Sequence, residues 1–178
     1  MKIALPGGIA CGKSLLSQFL NEFGVETLDA DDVVHEIIPD PAERRRIAAE
    51  VFADPAKRKE LEARIHPLVK ERIDEWLESG TGGASLQLRV AIIPLLFEVH
   101  WEKNFDIISC VVSKRESQID RMVTTRLMTR AEAEARLAAQ LPVEEKAKRS
   151  HYVIHNDGSP EGLKAKSKAF VDWLKAKL

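Results

Sequence analysis

The sequence predicts an α/β protein built on a doubly wound parallel sheet of about five strands, and three observations lead there. Short apolar runs alternate with amphipathic helical stretches along most of the chain. The first run, Ile3-Ala4-Leu5, leads straight into Gly7-Gly8-Ile9-Ala10-Cys11-Gly12-Lys13-Ser14, which fits G-x-x-x-x-G-K-[ST], the spelling of a phosphate-binding P-loop. The block from Val33 to Glu78 reads as helical almost throughout, an insertion between the second and third strands. Together these predict a P-loop NTPase fold carrying a helical lobe.

Length and charge narrow the classes. A chain of 178 residues supports one full-sized core, or one core with a small lobe. We therefore expect a single domain: a core of residues 1–32 and 84–178, a helical lobe of about 33–83 and a helical lid of about 115–140. A net charge of −1, from 27 basic and 28 acidic residues, argues against a polyanion-binding surface, so nucleic acid is not an expected partner. No stretch reads as a membrane span, and Met1-Lys2 runs directly into the first strand, leaving no room for a leader. A cytoplasmic protein, monomeric or weakly self-associating, is expected. Two cysteines, Cys11 and Cys110, suit free thiols in a reducing compartment rather than a disulfide framework or a zinc site.

After the loop, Leu15, Leu16, Phe19, Leu20 and Phe23 form the apolar stripe of a first helix, and Gly24 is placed to end it. Val25 to Leu28 is predicted as a strand, with Asp29-Ala30-Asp31-Asp32 at its carboxyl end. A short helix from Val33 to Ile38 stops at Pro39. Asp40 with Pro41, and Asp54 with Pro55, spell two further helix starts. His66 stands directly before Pro67, a position biased away from helical dihedrals, so a break between two helices is expected there.

Ser79 to Ser85, with three glycines, is predicted as a loop. Leu86 to Ile93 is predicted as the third strand, ended by Pro94, and Asp106 to Val112 as the fourth. A helix from Lys114 to about Met128 is followed by Thr129-Arg130-Ala131-Glu132, a capping box opening a helix through Gln140. The resulting hairpin collects Arg121, Arg126, Arg130 and Arg136. Tyr152 to His155 is the fifth strand, Asn156-Asp157-Gly158 a turn, and Ser159-Pro160 the cap of a final helix whose buried stripe is Leu163, Phe170, Val171 and Leu174.

The loop's chemistry follows from its residues. Glycines let backbone N–H groups turn around a phosphate, Lys13 can reach the β- and γ-phosphates, and the Ser14 hydroxyl can sit on Mg²⁺. A nucleoside triphosphate is the expected ligand, held by Gly8, Ile9, Ala10, Cys11, Gly12, Lys13, Ser14 and Leu15. Mg²⁺ is expected on Ser14, with Asp29 or Asp31 through water. No guanine-specifying Asn-Lys-x-Asp segment is present, so a GTPase is excluded. A small-molecule kinase fits better: the lid arginines, Arg121 and Arg126 among them, would neutralise charge on the transferred phosphoryl group and exclude water. Asp31 is the natural general base, worth roughly 10²- to 10⁴-fold. Helix N-capping is the competing reading of the aspartate cluster.

At this point the residues become familiar. Pro6-Gly7-Gly8-Ile9-x-x-Gly12-Lys13-Ser14, Leu28-Asp29-Ala30-Asp31, Leu61-Glu62-x-x-Ile65-His66-Pro67, Pro94-Leu95-Leu96-Phe97-Glu98, Ala138-Ala139-Gln140 and Tyr152-Val153-Ile154-x-Asn156-x-Gly158, in that order, resemble dephospho-CoA kinase. The resemblance implies ATP-dependent phosphorylation of the ribose 3′-hydroxyl of dephospho-CoA, the last step of coenzyme A synthesis. It implies that Asp31 is the catalytic aspartate, that Lys13 and Ser14 contact phosphate and Mg²⁺, and that His66, Pro94, Leu95, Phe97 and Glu98 line the acceptor site. Asn156 and Gly158 would lie near the ATP base.

The chain departs from that pattern in places. Ala10-Cys11 stands where Gly-Ser is common, Ile92 where an acidic residue often precedes the Pro-Leu-Leu-Phe-Glu segment, Thr125 where the lid usually has arginine, and His155 where Asp is common; the stretch from Asp31 to His66 is shorter than usual. A Cβ at position 10 is expected to require a backbone without positive φ. Cys11, among phosphate-directed N–H groups at a helix N-terminus, is expected to have a depressed pKa. Two alternatives stay open: a kinase for another nucleotide-like acceptor, and a nucleotide-binding protein without catalysis.

Overall fold

The protein is described here from a computed structural model, which covers residues 1–79 and 87–178. The predicted loop from Ser79 to Ser85, Ser79 apart, and the first residue of the predicted third strand lie outside the described residues. Five strands form one sheet: β1 (Ile3–Leu5), β2 (Glu26–Asp29), β3 (Arg89–Ile92), β4 (Ile107–Val112) and β5 (Tyr152–His155), in the order β2-β3-β1-β4-β5. Pairing is parallel between β1 and β3, β1 and β4, and β4 and β5, with Ile3 opposite both Val90 and Ile107. β1 and β4 are buried along their whole length, which is why they read as continuous apolar runs. β1 lies at the middle of the order, so the loop leaving it opens at the centre of the sheet's carboxyl edge, where α/β sheets bind ligands.

The chain falls into two compact units, Met1–Thr27 with Gln87–Leu178, and Leu28–Leu86; the boundary lies inside β2, so Asp29 and Asp31 belong to the second. In the first unit, α1 (Lys13–Glu22) buries Leu16, Phe19 and Leu20 and ends where Gly24, at φ 78°, donates its N–H to the Asn21 carbonyl. α8 (Pro160–Lys175) packs against α1 and begins at Ser159, whose hydroxyl accepts from Gly162 N. Its predicted stripe, Leu163, Phe170, Val171 and Leu174, is buried. Tyr152 and Phe170, with ring centroids 5.1 Å apart, and Trp173 extend that core.

Between β4 and β5 lie α5 (Arg115–Arg126), α6 (Arg130–Ala138) and α7 (Val143–Lys148). The capping box forms as spelled: Thr129 Oγ1 accepts from Glu132 N, and the Glu132 carboxylate accepts from Thr129 N. α5 ends at Leu127, which sits at φ 54° and is 89% exposed. α7 was not anticipated, because six residues are too few to display a helical period.

The second unit contains α2 (Ala30–Ile37), α3 (Pro41–Ala53) and α4 (Pro55–Ser79). Asp29, Asp40 and Asp54 cap them, accepting from Asp31 N, Ala42 N and Ala56 N at 2.9, 2.9 and 2.8 Å. The expected break at His66-Pro67 is absent. α4 runs through Pro67 for 25 residues. Ile65, Val69, Ile73 and Leu77 recur at every fourth position on both sides of the proline, and the last three are buried. Burial of that stripe against α2 and α3 outweighs the local pre-proline preference and the lost hydrogen bond. Among the described residues no helix is long and apolar enough to cross a membrane.

Candidate active site

The loop after β1 is shaped largely by side chains that grip its carbonyls. Gln118 Nε2 donates to Ile9 O at 2.6 Å, Arg121 Nη1 to Ala10 O at 3.0 Å, and Asn156 Nδ2 to Cys11 O at 2.9 Å. In a trans peptide the N–H points opposite the C=O. Three successive carbonyls held by these side chains therefore turn the N–H groups that follow away from them. Cys11 N–H closes a turn onto Gly8 O at 3.3 Å, while trans-peptide geometry turns those of Ala10 and Gly12 away from the side chains that hold the preceding carbonyls. Gln140 holds the loop from another direction, its Oε1 accepting from Ile9 N at 3.2 Å.

Three glycines are required here. A Cβ on Gly7 would stand 2.8 Å from Val111 O and one on Gly8 2.7 Å from Gln118 Nε2, and Gly12 adopts φ 88° as the N-cap of α1. Ala10 contradicts its expectation: it sits at φ 57°, in the left-handed region. That conformation costs an L-residue about 1–2 kcal/mol. It persists because the Ile9 and Ala10 carbonyls on either side are both pinned to α5.

Cys11 also departs from expectation. It is fully buried, and burial pushes its thiol above the ordinary value, against the weaker opposing pull of Lys13. The P-loop spelling could not show that the side chain points into the core, where it joins Leu16 and Val111. Cys110 beside it is pushed up to about 12 by burial and then by Cys11.

Lys13 Nζ donates to Gly7 O at 3.2 Å and Gly8 O at 2.9 Å, so its charge lies across the loop. Ser14 is exposed in the first turn of α1, and Leu15 follows half-buried. Arg121, expected in the lid, instead braces the loop: besides Ala10 O it reaches Ser113 Oγ at 2.9 Å and Asn156 O at 2.7 Å. Arg126 is exposed in the last turn of α5. Arg130 is occupied by Glu116 and Glu134, at 2.9 and 3.0 Å, and Glu116 raises its pKa further. Asn156 is buried, with Gly158 exposed two residues on.

The segment after β3 is anchored as well. Glu98 Oε1 accepts from Lys146 Nζ at 2.7 Å and from Leu141 N at 3.1 Å; Lys146, fully buried, also donates to Pro94 O at 2.7 Å. Phe97 is buried under the Arg149 guanidinium, 4.2 Å from its ring centroid, whereas Leu95 is exposed. Nothing in the sequence singles out Lys146, which lies in a charged stretch for which no element is predicted. Gln118 had a faint signal, standing three residues before Arg121 on the same face of α5.

In the helical unit, Asp29 Oδ1 caps α2 by accepting from Asp31 N, as the capping reading of the cluster has it, and Asp31 and Asp32 are exposed in the first turn. His66 is half-buried within α4. Among the described residues no group of three or more His, Cys, Asp or Glu could hold a metal ion. The Ser14 hydroxyl in one unit and the carboxylates of Asp29 and Asp31 in the other are each oxygen donors of the hard type that Mg²⁺ takes.

Comparison with known proteins gives a consistent result. The family model described as dephospho-CoA kinase matches residues 1–43 and 40–161. A dephospho-CoA kinase of Synechococcus sp. (strain JA-3-3Ab) is 37% identical, across 92% of this chain and 88% of its own. One from Geobacter sulfurreducens is 35% identical, across 90% of this chain and 92% of its own. A solved structure from Thermus thermophilus superposes with a TM-score of 0.79 at 32% identity, covering 98% of this chain and 97% of its own.

Proposed function

The chain belongs to the dephospho-CoA kinase family, and from that premise we propose that it transfers the γ-phosphoryl group of ATP to the ribose 3′-hydroxyl of dephospho-CoA, yielding coenzyme A and ADP. The observation that carries the mechanism is the loop whose Ile9, Ala10 and Cys11 carbonyls are held outward, which leaves N–H groups preset for phosphate. Catalysis of this kind is positioning and charge neutralisation more than covalent chemistry.

Asp31 accepts the proton of the 3′-hydroxyl as that oxygen bonds to the γ-phosphorus and the bond to the β-phosphate oxygen breaks. Its carboxylate is available, because the cap of α2 is made by Asp29. Lys13 moves its ammonium from loop carbonyls to phosphate oxygens, a short step for a flexible stem. Arg121 holds a fixed positive charge beside the loop, and Arg126 supplies the mobile one from the lid. Ser14, with Asp29 or Asp31 through water, would hold Mg²⁺, which would supply charge neutralisation to the transferring phosphoryl group. His66, Pro94 and Leu95 form the acceptor side, with Phe97 and Glu98 fixing that segment through Arg149 and Lys146. Asn156 and Gly158 border the adenine. Both cysteines are free, which suits the cytoplasm as the place of this reaction.

The test is ADP release coupled to an indicator reaction, with dephospho-CoA, adenosine and nucleoside monophosphates as acceptors. Dephospho-CoA is expected to be turned over fastest. Equal rates with adenosine would transfer the reading to another nucleotide-like acceptor.

A further inference from the structure

The Ile9 peptide is gripped on both sides by glutamine amides. Gln118 Nε2 donates to its carbonyl at 2.6 Å, and its N–H donates to Gln140 Oε1 at 3.2 Å. The two side chains come from different places, α5 and the residues following α6, and the partners fix each amide's orientation: a carbonyl demands the NH₂ end and an N–H the oxygen end. Gln118 is 3% exposed, so it is committed to this contact rather than to solvent. The next residue is the strained Ala10, at φ 57°.

We propose that Gln118 and Gln140 are positioning residues for phosphoryl transfer, which fix the Ile9 peptide so that the Ala10 N–H is presented to the bound phosphate. This rests on the kinase reading above. A loop containing left-handed Ala10 relaxes if either grip is lost, and relaxation swings the Ala10 N–H off the phosphate. Arg121 holds only the following peptide, so it cannot substitute for Gln118. Neither glutamine touches substrate; each acts through the loop.

Both glutamines line a cavity of about 240 Å³, so methionine, equal in length and apolar, fits either position without crowding. Gln118→Met is expected to weaken ATP binding about tenfold and to lower kcat by about tenfold to a hundredfold, less than removal of a direct donor, with the acceptor KM within about twofold of wild type. A defect of general packing would not split the constants in this way. Ala10→Gly removes the strain and so makes the phosphate-binding conformation cheaper to reach. In the Gln118→Met background it is expected to restore ATP affinity at least about threefold, a larger change than the one it makes in the wild-type background.

Gln140→Met, at a half-buried site, carries the same pair of measurements if Gln118→Met does not fold. ATP affinity is read by calorimetry without acceptor. Failure of the wild-type protein to phosphorylate dephospho-CoA therefore overturns the acceptor assignment and leaves this proposal to be judged on nucleotide binding. Wild-type ATP affinity and kcat in the methionine variants, or an equal effect of Ala10→Gly in both backgrounds, overturns the proposal itself.

Discussion

The amide nitrogen of Asn156 fills the space that a Cβ on Gly12 would need. Gly12 also sits at φ 88°, so Gly12→Ala meets two obstacles, left-handed strain and displacement of a buried asparagine that holds Cys11 O. A loss of at least about 2 kcal/mol in unfolding free energy is expected, with loss of ATP binding. Chemical denaturation and calorimetry measure the two. Wild-type stability would mean that Asn156 can withdraw without consequence.

Asp31→Asn separates base catalysis from binding. The cap of α2 is made by the Asp29 side chain to the backbone N–H of residue 31, so the substitution leaves that contact in place. ATP affinity is expected to stay within about twofold of wild type while kcat falls by at least about a hundredfold. An unchanged kcat would remove Asp31 from the base role.

The two buried thiols make stability fall in alkali. Their folded pKa values are raised, Cys110 from 9.0 to about 12, so the proton is held more tightly in the folded state. The contribution of Cys110 is complete below pH 9 and is lost as pH rises toward about 12, because only the unfolded chain ionises in that window, and Cys11 acts in the same direction. A slope on the order of 1 kcal/mol per pH unit is expected from Cys110 above pH 9 in urea titrations. Cys110→Ala should lower stability at pH 7 yet flatten that slope. By the same burial, Cys11 should resist alkylation in the folded protein; rapid modification at pH 7 that ATP prevents would restore it as a reactive thiol.

Lys146 and Glu98 join the segment after β3 to α7. Removing one partner leaves the other's charge in a largely buried place, so Lys146→Ala is expected to cost about 3–5 kcal/mol. Lys146→Met with Glu98→Gln should recover part of that loss, since the glutamine can still accept from Leu141 N. Thermal unfolding of the singles and the double gives the coupling. Strict additivity would mean the pair does not interact.

What the sequence made legible was local. The caps at Asp40, Asp54, Thr129 and Ser159 depend on residues two or three positions away, and all four form. The strands were readable because both faces of β1 and β4 are covered. The misreadings concern long-range partners. Pro67 lies inside α4 because the apolar stripe runs through it and is buried beyond it, at Val69, Ile73 and Leu77. Cys11 points into a core assembled from distant strands and helices. Gln118 and its carbonyl partner are 109 residues apart, and Lys146 and Pro94 are 52 apart, separations at which no pattern in composition or period survives.

The three carbonyl holders of the P-loop have a consequence for its origin as a working part. Gln118 and Arg121 come from the helix after β4, and Asn156 from the turn after β5, the last strand added to the sheet. The eight-residue motif is therefore not portable. Transplanted behind a strand in another chain, it would bring its glycines and its lysine but arrive slack. A chain cut short at Ser150 would carry every letter of the motif and still lack Asn156, the side chain that holds Cys11 O.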